Sequence, residues 1–175
     1  QLHRVRIKHP IAPPLQNLEQ SVATALDRCQ HLQQIPQGSE VAIAVGSRGI
    51  AQIDSITRTV VSGLKGWNLK PFIVPAMGSH GGGTSEGQQE VLKKLGIDDR
   101  SMGCVIRSSM RTVDYGLVTE GIHCHFDANA AGAAGIVLLN RVKAHTSFPR
   151  EIESGLIKLI AVGLGKAEGA RSVHR

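Results

Sequence analysis

The sequence predicts an α/β fold, a mostly parallel sheet with helices on both faces and a small antiparallel excursion. Short apolar segments typical of buried strands alternate with longer segments whose apolar residues recur at helical spacing. Glycine-rich turns follow two of the apolar segments, at 46–49 and 78–83, as in strand–turn–helix units. The chain of 175 residues can bury one full core, so we expect a single domain over 1–175.

The predicted elements follow the order that this fold requires. The predicted strands lie at 2–7, 40–45, 71–74 and 135–139. The predicted helices lie at about 15–34, 53–64, 84–95 and 127–134. Ser85 and Gln88 have capping-box spacing at the start of the third helix. Short alternating pieces at 104–106, 112–118 and 122–126 predict the antiparallel excursion. The whole pattern is Rossmann-like.

Composition and charge exclude several classes of function. The net charge is +6, but the basic residues are scattered and aromatic residues make up 3% of the chain, which argues against nucleic-acid binding and favours a pocket for phosphate or carboxylate. No apolar run approaches the roughly 20 residues of a membrane-spanning helix, and no leader opens the chain, so we expect no membrane partner and a cytoplasmic location. Three cysteines without a CxxC pair suggest reduced core thiols.

The two ends of the chain suggest a larger protein. The sequence begins at Gln1, and a helical pattern is still in progress at Arg175. We therefore expect this chain to be the N-terminal lobe of a two-domain protein whose C-terminal domain is absent from it.

The first glycine-rich turn, Gly46-Ser47-Arg48-Gly49, lies between a strand and a helix. Free backbone N–H groups and the helix dipole favour an anion at such a turn, and Arg48 could bind phosphate or carboxylate with two hydrogen bonds. A tight turn that simply requires glycine explains the same residues equally well. The motif matches neither a Walker loop nor the dinucleotide-binding fingerprint.

The second turn, at 78–84, carries His80 before three glycines, which is more glycine than a turn needs. A half-exposed histidine beside such a turn has the usual setting of a general acid or base. His145 follows the strand at 135–139 in the same relation, so both imidazoles are expected at one edge of the sheet. A histidine that merely caps the turn is the alternative.

Three further positions have chemically useful side chains. Lys158 has apolar neighbours, which disfavour its charged form and make it a candidate nucleophile or covalent anchor, although an exposed lysine fits as well. His123 and His125 alternate on one face of a predicted strand, but no other ligand is evident in the sequence, so we interpret them as part of a solvated strand. His174 by itself indicates little.

The chain resembles the N-terminal domain of the lactate racemase family, the nickel-pincer-nucleotide enzymes, from about residue 40 to its end. The resemblance lies in ordered motifs: the turn around His80, Asn140-Arg-Val-Lys-Ala-His145, Ser154-Gly-Leu-Ile-Lys158, and His174. It implies that His80 and His145 are the acid/base pair, that Lys158 is bonded to the pyridinium mononucleotide, and that His174 is a nickel ligand. It also implies Arg48, with Ser47, Gly46 and Gly49, as a phosphate-binding turn.

The implied activity is racemisation or epimerisation of a 2-hydroxy acid or sugar acid by hydride transfer through the nickel-pincer nucleotide. The first turn lacks the acidic residue found in lactate racemase, so the expected substrate is a small hydroxy acid other than lactate. Two other functions fit the same residues: a cofactor-free proton-transfer or lyase enzyme, and a non-enzymatic module that binds a phosphorylated or carboxylated metabolite.

Overall fold

The computed structural model describes residues 15–47, 49–118, 121–142 and 155–173. Within these ranges the strands are β1 (Glu40–Val45), β2 (Lys70–Pro75), β3 (Thr112–Leu117), β4 (His123–Asp127) and β5 (Gly135–Leu139). The α-helices are α1 (Leu18–Asp27), α2 (Gln30–Gln33), α3 (Ile53–Gly66), α4 (Ser85–Lys94), α5 (Asp99–Met102), α6 (Ala128–Ala131), α7 (Leu156–Lys158) and α8 (Lys166–Val173). A 3-10 turn lies at Gly81–Gly83 and a π-helical segment at Leu159–Leu164. The predicted opening strand at 2–7 lies outside the described residues.

The main sheet is parallel and has the order β2-β1-β5. β1 is its central strand, and its last five residues are completely buried, which explains why this strand is an unbroken apolar run. Ile106 forms a parallel bridge with Ile73 beside β2. The assignment of 104–106 to the antiparallel excursion was therefore wrong: the segment extends the parallel sheet, because the backbone of Ile73 bonds to Val105 and Arg107 on either side.

Side chains of alternating residues in β1 enter two different cores. Val41, Ile43 and Val45 pack with apolar residues of α1, α3 and α4. Ala42 and Ala44 pack on the opposite face with Ala130 of α6 and with the π-helical segment. The predicted α/β, Rossmann-like arrangement is confirmed, since helical segments cover both faces of a parallel sheet. No helix in the described part of the chain is long and apolar enough to span a membrane.

The antiparallel excursion is confirmed for β3 and β4, which form a separate hairpin. The pairing shifts between Asp114 and Leu117, so the hairpin contains a bulge. Helix α8 packs against this hairpin: the His123 N–H donates to Ser172 Oγ at 3.1 Å, and a Cβ at Gly169 would lie 3.8 Å from the carbonyl oxygen of His125.

Two local predictions were wrong. The helix predicted at 15–34 is two helices, because Cys29 leaves the helical conformation with ψ 88°. Leu26 and Leu32 are both buried, yet in one straight α-helix their side chains would point about 120° apart, so the break lets both reach the core. The cap of α4 is Thr84, which accepts from the Gly87 N–H, and not Ser85.

Candidate functional site

The candidate site lies at the carboxyl edge of the parallel sheet. Since β1, β2 and β5 run in the same direction, the residues that follow them meet at one edge. Ser47 after β1 and His80 after β2 share a hydrogen bond of 2.5 Å between Oγ and Nδ1. Arg141 after β5 donates from Nη1 to the carbonyl oxygen of Gly49, at 3.1 Å. The three strand ends are therefore joined by direct contacts.

His80 is exposed, and hydrogen bonds to neighbouring and buried residues hold the turn that carries it. Its backbone N–H donates to Met77 O at 3.0 Å. The buried amide of Gln88 donates to Gly78 O at 2.8 Å and, more weakly, to His80 O at 3.4 Å. Ser47 adds a contact to the ring itself. These bonds fix both the backbone and the imidazole orientation of His80, as a general acid or base requires.

The glycines of this turn serve two different purposes. Gly81 has φ 65°, and a Cβ there would lie 2.5 Å from the carbonyl carbon of Gly87 in α4. Gly81 is thus needed for the packing of turn against helix. Gly82 and Gly83 have open space around the position of a Cβ, or only ordinary contact at 4.0 Å. Only these two fit the expectation that glycine lets a ligand approach the main chain.

A cleft of about 610 Å³ opens beside this turn. It is lined by Ser79, Gly82, Gly83, Ala167, Ala170 and Arg171. Small side chains leave the main chain accessible, and the guanidinium of Arg171 provides a positive charge at the wall. The cleft therefore suits a small ligand with a carboxylate or phosphate group.

Lys158 reaches the same edge of the sheet through the segment that follows Gly155. Asn140, directly after β5, donates from Nδ2 to Gly155 O at 2.5 Å. The neighbouring Leu159 packs close to Gly46, and Gly78 N–H donates to Gly163 O at 3.0 Å. The Lys158 side chain is exposed, so its apolar sequence neighbours do not bury it. The π-helical turn that follows is a feature often found at functional sites.

A buried polar network underlies the site, and it was not predicted from the sequence. Lys166 is 0% exposed and lies 3.0 Å from Asp127 Oδ2, also fully buried. This contact is a close ion pair. The Lys166 ammonium donates to Pro75 O at 2.6 Å and to Gln88 Oε1 at 3.3 Å. The network thus connects Asp127 to the amide that supports the His80 turn.

The environment of Lys166 is unusual in two further respects. Burial lowers the pKa of its ammonium group, and the Asp127 carboxylate opposes that shift. Its φ is 56°, a left-handed conformation that is costly for a residue with a side chain. The local sequence does not predict this environment, because a buried lysine and an exposed one look the same there.

The structure brings together Gly46, Ser47, Gly49 and His80, and it places the segment carrying Lys158 against them. The other predicted site residues are Arg48, His145 and His174, and all three lie outside the described residues. No family model, curated protein or solved structure matches this chain. The function proposed below is therefore argued from the geometry of the described residues and from the resemblance of the sequence motifs.

Proposed function

We propose that this chain is the N-terminal lobe of a racemase or epimerase that acts on a 2-hydroxy acid or a sugar acid with a nickel-pincer nucleotide. The observation that carries the proposal is the exposed His80, oriented by Ser47 at the carboxyl edge of the sheet and beside an open cleft. The resemblance of the motifs around His80 and Lys158 to the lactate racemase family supplies the cofactor and the reaction. The proposed location is the cytoplasm.

The described residues fit the demands of such a cofactor. A lysine that bonds to an incoming nucleotide must be accessible, and Lys158 is exposed. Gly46 and Gly49 belong to the loop before α3, where backbone N–H groups can bind a phosphate, and Ser47 adds a hydroxyl. Lys158, this loop and His174 would hold the group. When bound, the nickel-pincer nucleotide supplies an acceptor and donor of hydride.

The chain's own residues bind the substrate and move its proton. The guanidinium of Arg171 and the main chain of Gly82 and Gly83 would bind the carboxylate in the cleft. Ser47 holds Nδ1 of His80, so the ring presents Nε2 as the atom that exchanges a proton with the substrate hydroxyl. His145 is the proposed second acid/base. Two bases on opposite faces of one carbon are what an inversion of configuration requires.

The cofactor proposal is tested by analysing the full-length protein made in cells that also express pincer-synthesis enzymes. We expect peptide mass spectrometry to find an added mass on Lys158, and elemental analysis to find stoichiometric nickel. Lys158→Ala should remove both signals, whereas Lys94→Ala, a change of an exposed lysine in α4, should leave them unchanged. An unmodified Lys158 together with an absence of nickel would defeat the proposal.

The acid/base role is tested separately with His80→Gln. Loss of a general acid or base typically costs a factor of about 10² to 10⁴ in rate. We expect a decrease of this size in the interconversion of enantiomers, followed by chiral chromatography. His31→Gln, a change of an exposed histidine in α2, is the matched control. Equal activity of the two variants would show that His80 is not the catalytic base.

The cleft also favours a second candidate, a module that binds a carboxylated or phosphorylated metabolite without chemistry. This function predicts thermal stabilisation by hydroxy acids or sugar phosphates, weakened by Arg171→Ala, with no turnover. A cofactor-free enzyme on the same residues instead predicts turnover in nickel-free protein that His80→Gln abolishes. Analysis of nickel and of the Lys158 mass, the chiral assay of turnover, and thermal stabilisation by ligands therefore separate the three functions.

A further inference from the structure

The β3–β4 hairpin carries a cluster of potential metal ligands, remote in sequence from the motifs of the proposed site. Asp114, His123 and His125 each offer one ligand atom, and these atoms lie within 4.8 Å of one another. We propose that this cluster, the hairpin cluster, binds a divalent transition metal ion of the zinc class. The inference does not depend on the racemase proposal.

The strand geometry explains why the three side chains meet. His123 and His125 are two residues apart on β4, so both lie on one face, and their rings stack with centroids 6.0 Å apart. Asp114 is the direct cross-strand partner of His125. The bulge after Asp114 brings His123 close as well, with Nδ1 at 3.0 Å from Asp114 Oδ2. Two imidazoles and one carboxylate therefore converge.

The ligand types and spacing suit zinc. Zn²⁺ binds imidazole nitrogen and carboxylate oxygen at about 2.0–2.2 Å, so ligand atoms in a tetrahedral site lie about 3.4 Å apart. The widest pair in the hairpin cluster would have to close by at most about 1.4 Å to reach that spacing. Both His123 and Asp114 are 46% exposed at their side chains, so rotation about their side-chain bonds can supply this movement. Their exposure also leaves room for a water as fourth ligand.

The residues around the hairpin cluster hold its ligands in place, as in known metal sites. The second oxygen of Asp114, Oδ1, accepts from the Gly116 N–H at 2.8 Å. His125 Nδ1 is buried and has no hydrogen-bond partner among the described residues, and Glu168 Oε2 lies 3.6 Å away. Glu168 is itself hydrogen-bonded by the Thr112 hydroxyl. A carboxylate beside one ring nitrogen is the arrangement that orients a metal-binding histidine through its other nitrogen.

The test is a calorimetric titration of tag-free protein with Zn²⁺, with Mg²⁺ as a control that prefers oxygen ligands. We expect saturable binding of one Zn²⁺ per chain and none of Mg²⁺. Asp114→Asn, His123→Gln and His125→Gln should each weaken binding at least about tenfold, whereas His31→Gln should not change it. Glu168→Gln, a change of a positioning residue, should weaken Zn²⁺ binding by about tenfold and alter the visible spectrum of bound Co²⁺.

Two results would overturn the proposal. One is the absence of saturable Zn²⁺ binding by the unaltered protein, which needs no variant to interpret. The other is unchanged affinity in His123→Gln, a surface substitution whose fold is checked by its melting temperature. Lys158→Ala protein should bind Zn²⁺ normally, so failure of this proposal and failure of the nickel-pincer proposal are observed in different experiments.

Discussion

Asp127→Asn isolates the charge of the buried ion pair beneath the site. Asp127 uses its two oxygens differently: Oδ1 accepts from the Ala130 N–H at 2.8 Å and caps α6, and Oδ2 lies 3.0 Å from the Lys166 ammonium. An asparagine can retain the cap with its amide oxygen, while its NH₂ group would face the ammonium. The variant therefore leaves a fully buried cation without its counter-charge.

The expected loss is large. Removing one partner of a buried ion pair typically costs about 3–5 kcal/mol of stability. For a protein of this size, that corresponds to a decrease in melting temperature of roughly 6 to 20 °C. Lys166→Met should also destabilise, since it leaves the Asp127 carboxylate unpaired and removes the donor to Pro75 O and Gln88 Oε1. The double variant should lose less than the sum of the two, by up to about 3 kcal/mol.

The pH dependence gives the loss an independent signature. In Asp127→Asn protein nothing opposes the lowering of the Lys166 pKa by burial, so its folded-state pKa lies further below the unfolded value. Between those two pKa values the unfolded state binds more protons, and the free energy of unfolding therefore rises with pH. The stability deficit of the variant should thus shrink as pH increases from neutral toward the ordinary range of lysine.

Urea denaturation of the four proteins at several pH values measures both quantities. Strictly additive losses, or a loss below about 1 kcal/mol for Asp127→Asn, would refute the ion-pair argument. A deficit that grows with pH would show that the sign of the linkage is wrong. If the network supports the His80 turn through Gln88, the folded fraction of Asp127→Asn protein should also show an altered environment for the His80 imidazole in NMR spectra.

Three further predictions concern local structure. Gly87→Ala would place a Cβ against the carbonyl oxygen of Gly81, and it should lower the free energy of unfolding in urea by about 3 kcal/mol or more. The Cβ of Gly82→Ala meets no atom within 4 Å, so this variant should lose only about 1–2 kcal/mol through the strain of the left-handed backbone. Equal losses would contradict the packing argument. Thr84→Ala should cost about 1 kcal/mol through loss of the α4 cap, measured in the same way. The Arg107 guanidinium, hydrogen-bonded to Glu40, lowers the pKa of that carboxyl. An ionised Glu40 with a lowered pKa stabilises the folded protein, and this stability is lost as the pH falls and the carboxylate becomes protonated. The melting temperatures of the unaltered protein and Glu40→Gln should therefore converge in acid.

Much of the fold could be predicted because its signals are local. The apolar runs of β1, β2 and β5, the helical spacing in α3 and the glycines after two strands depend only on near neighbours in sequence. The break after α1 could not be predicted, since Leu26 and Leu32 show their common core position only when the helices pack. The N-cap was also misassigned, because Thr84 and Ser85 are both good capping residues and geometry chooses between them.

The sequence by itself determined the parallel sheet and the edge of that sheet at which the turn with His80 lies. The role of Lys158 stays a prediction. Only the tertiary structure decided which other polar groups work together. Lys166 meets Asp127 across 39 positions and Gln88 across 78, and Asp114 joins His123 and His125 only through the strand pairing and its bulge. Such groups carry no periodic signal. The burial that makes them matter exists only once distant segments have packed together and excluded water.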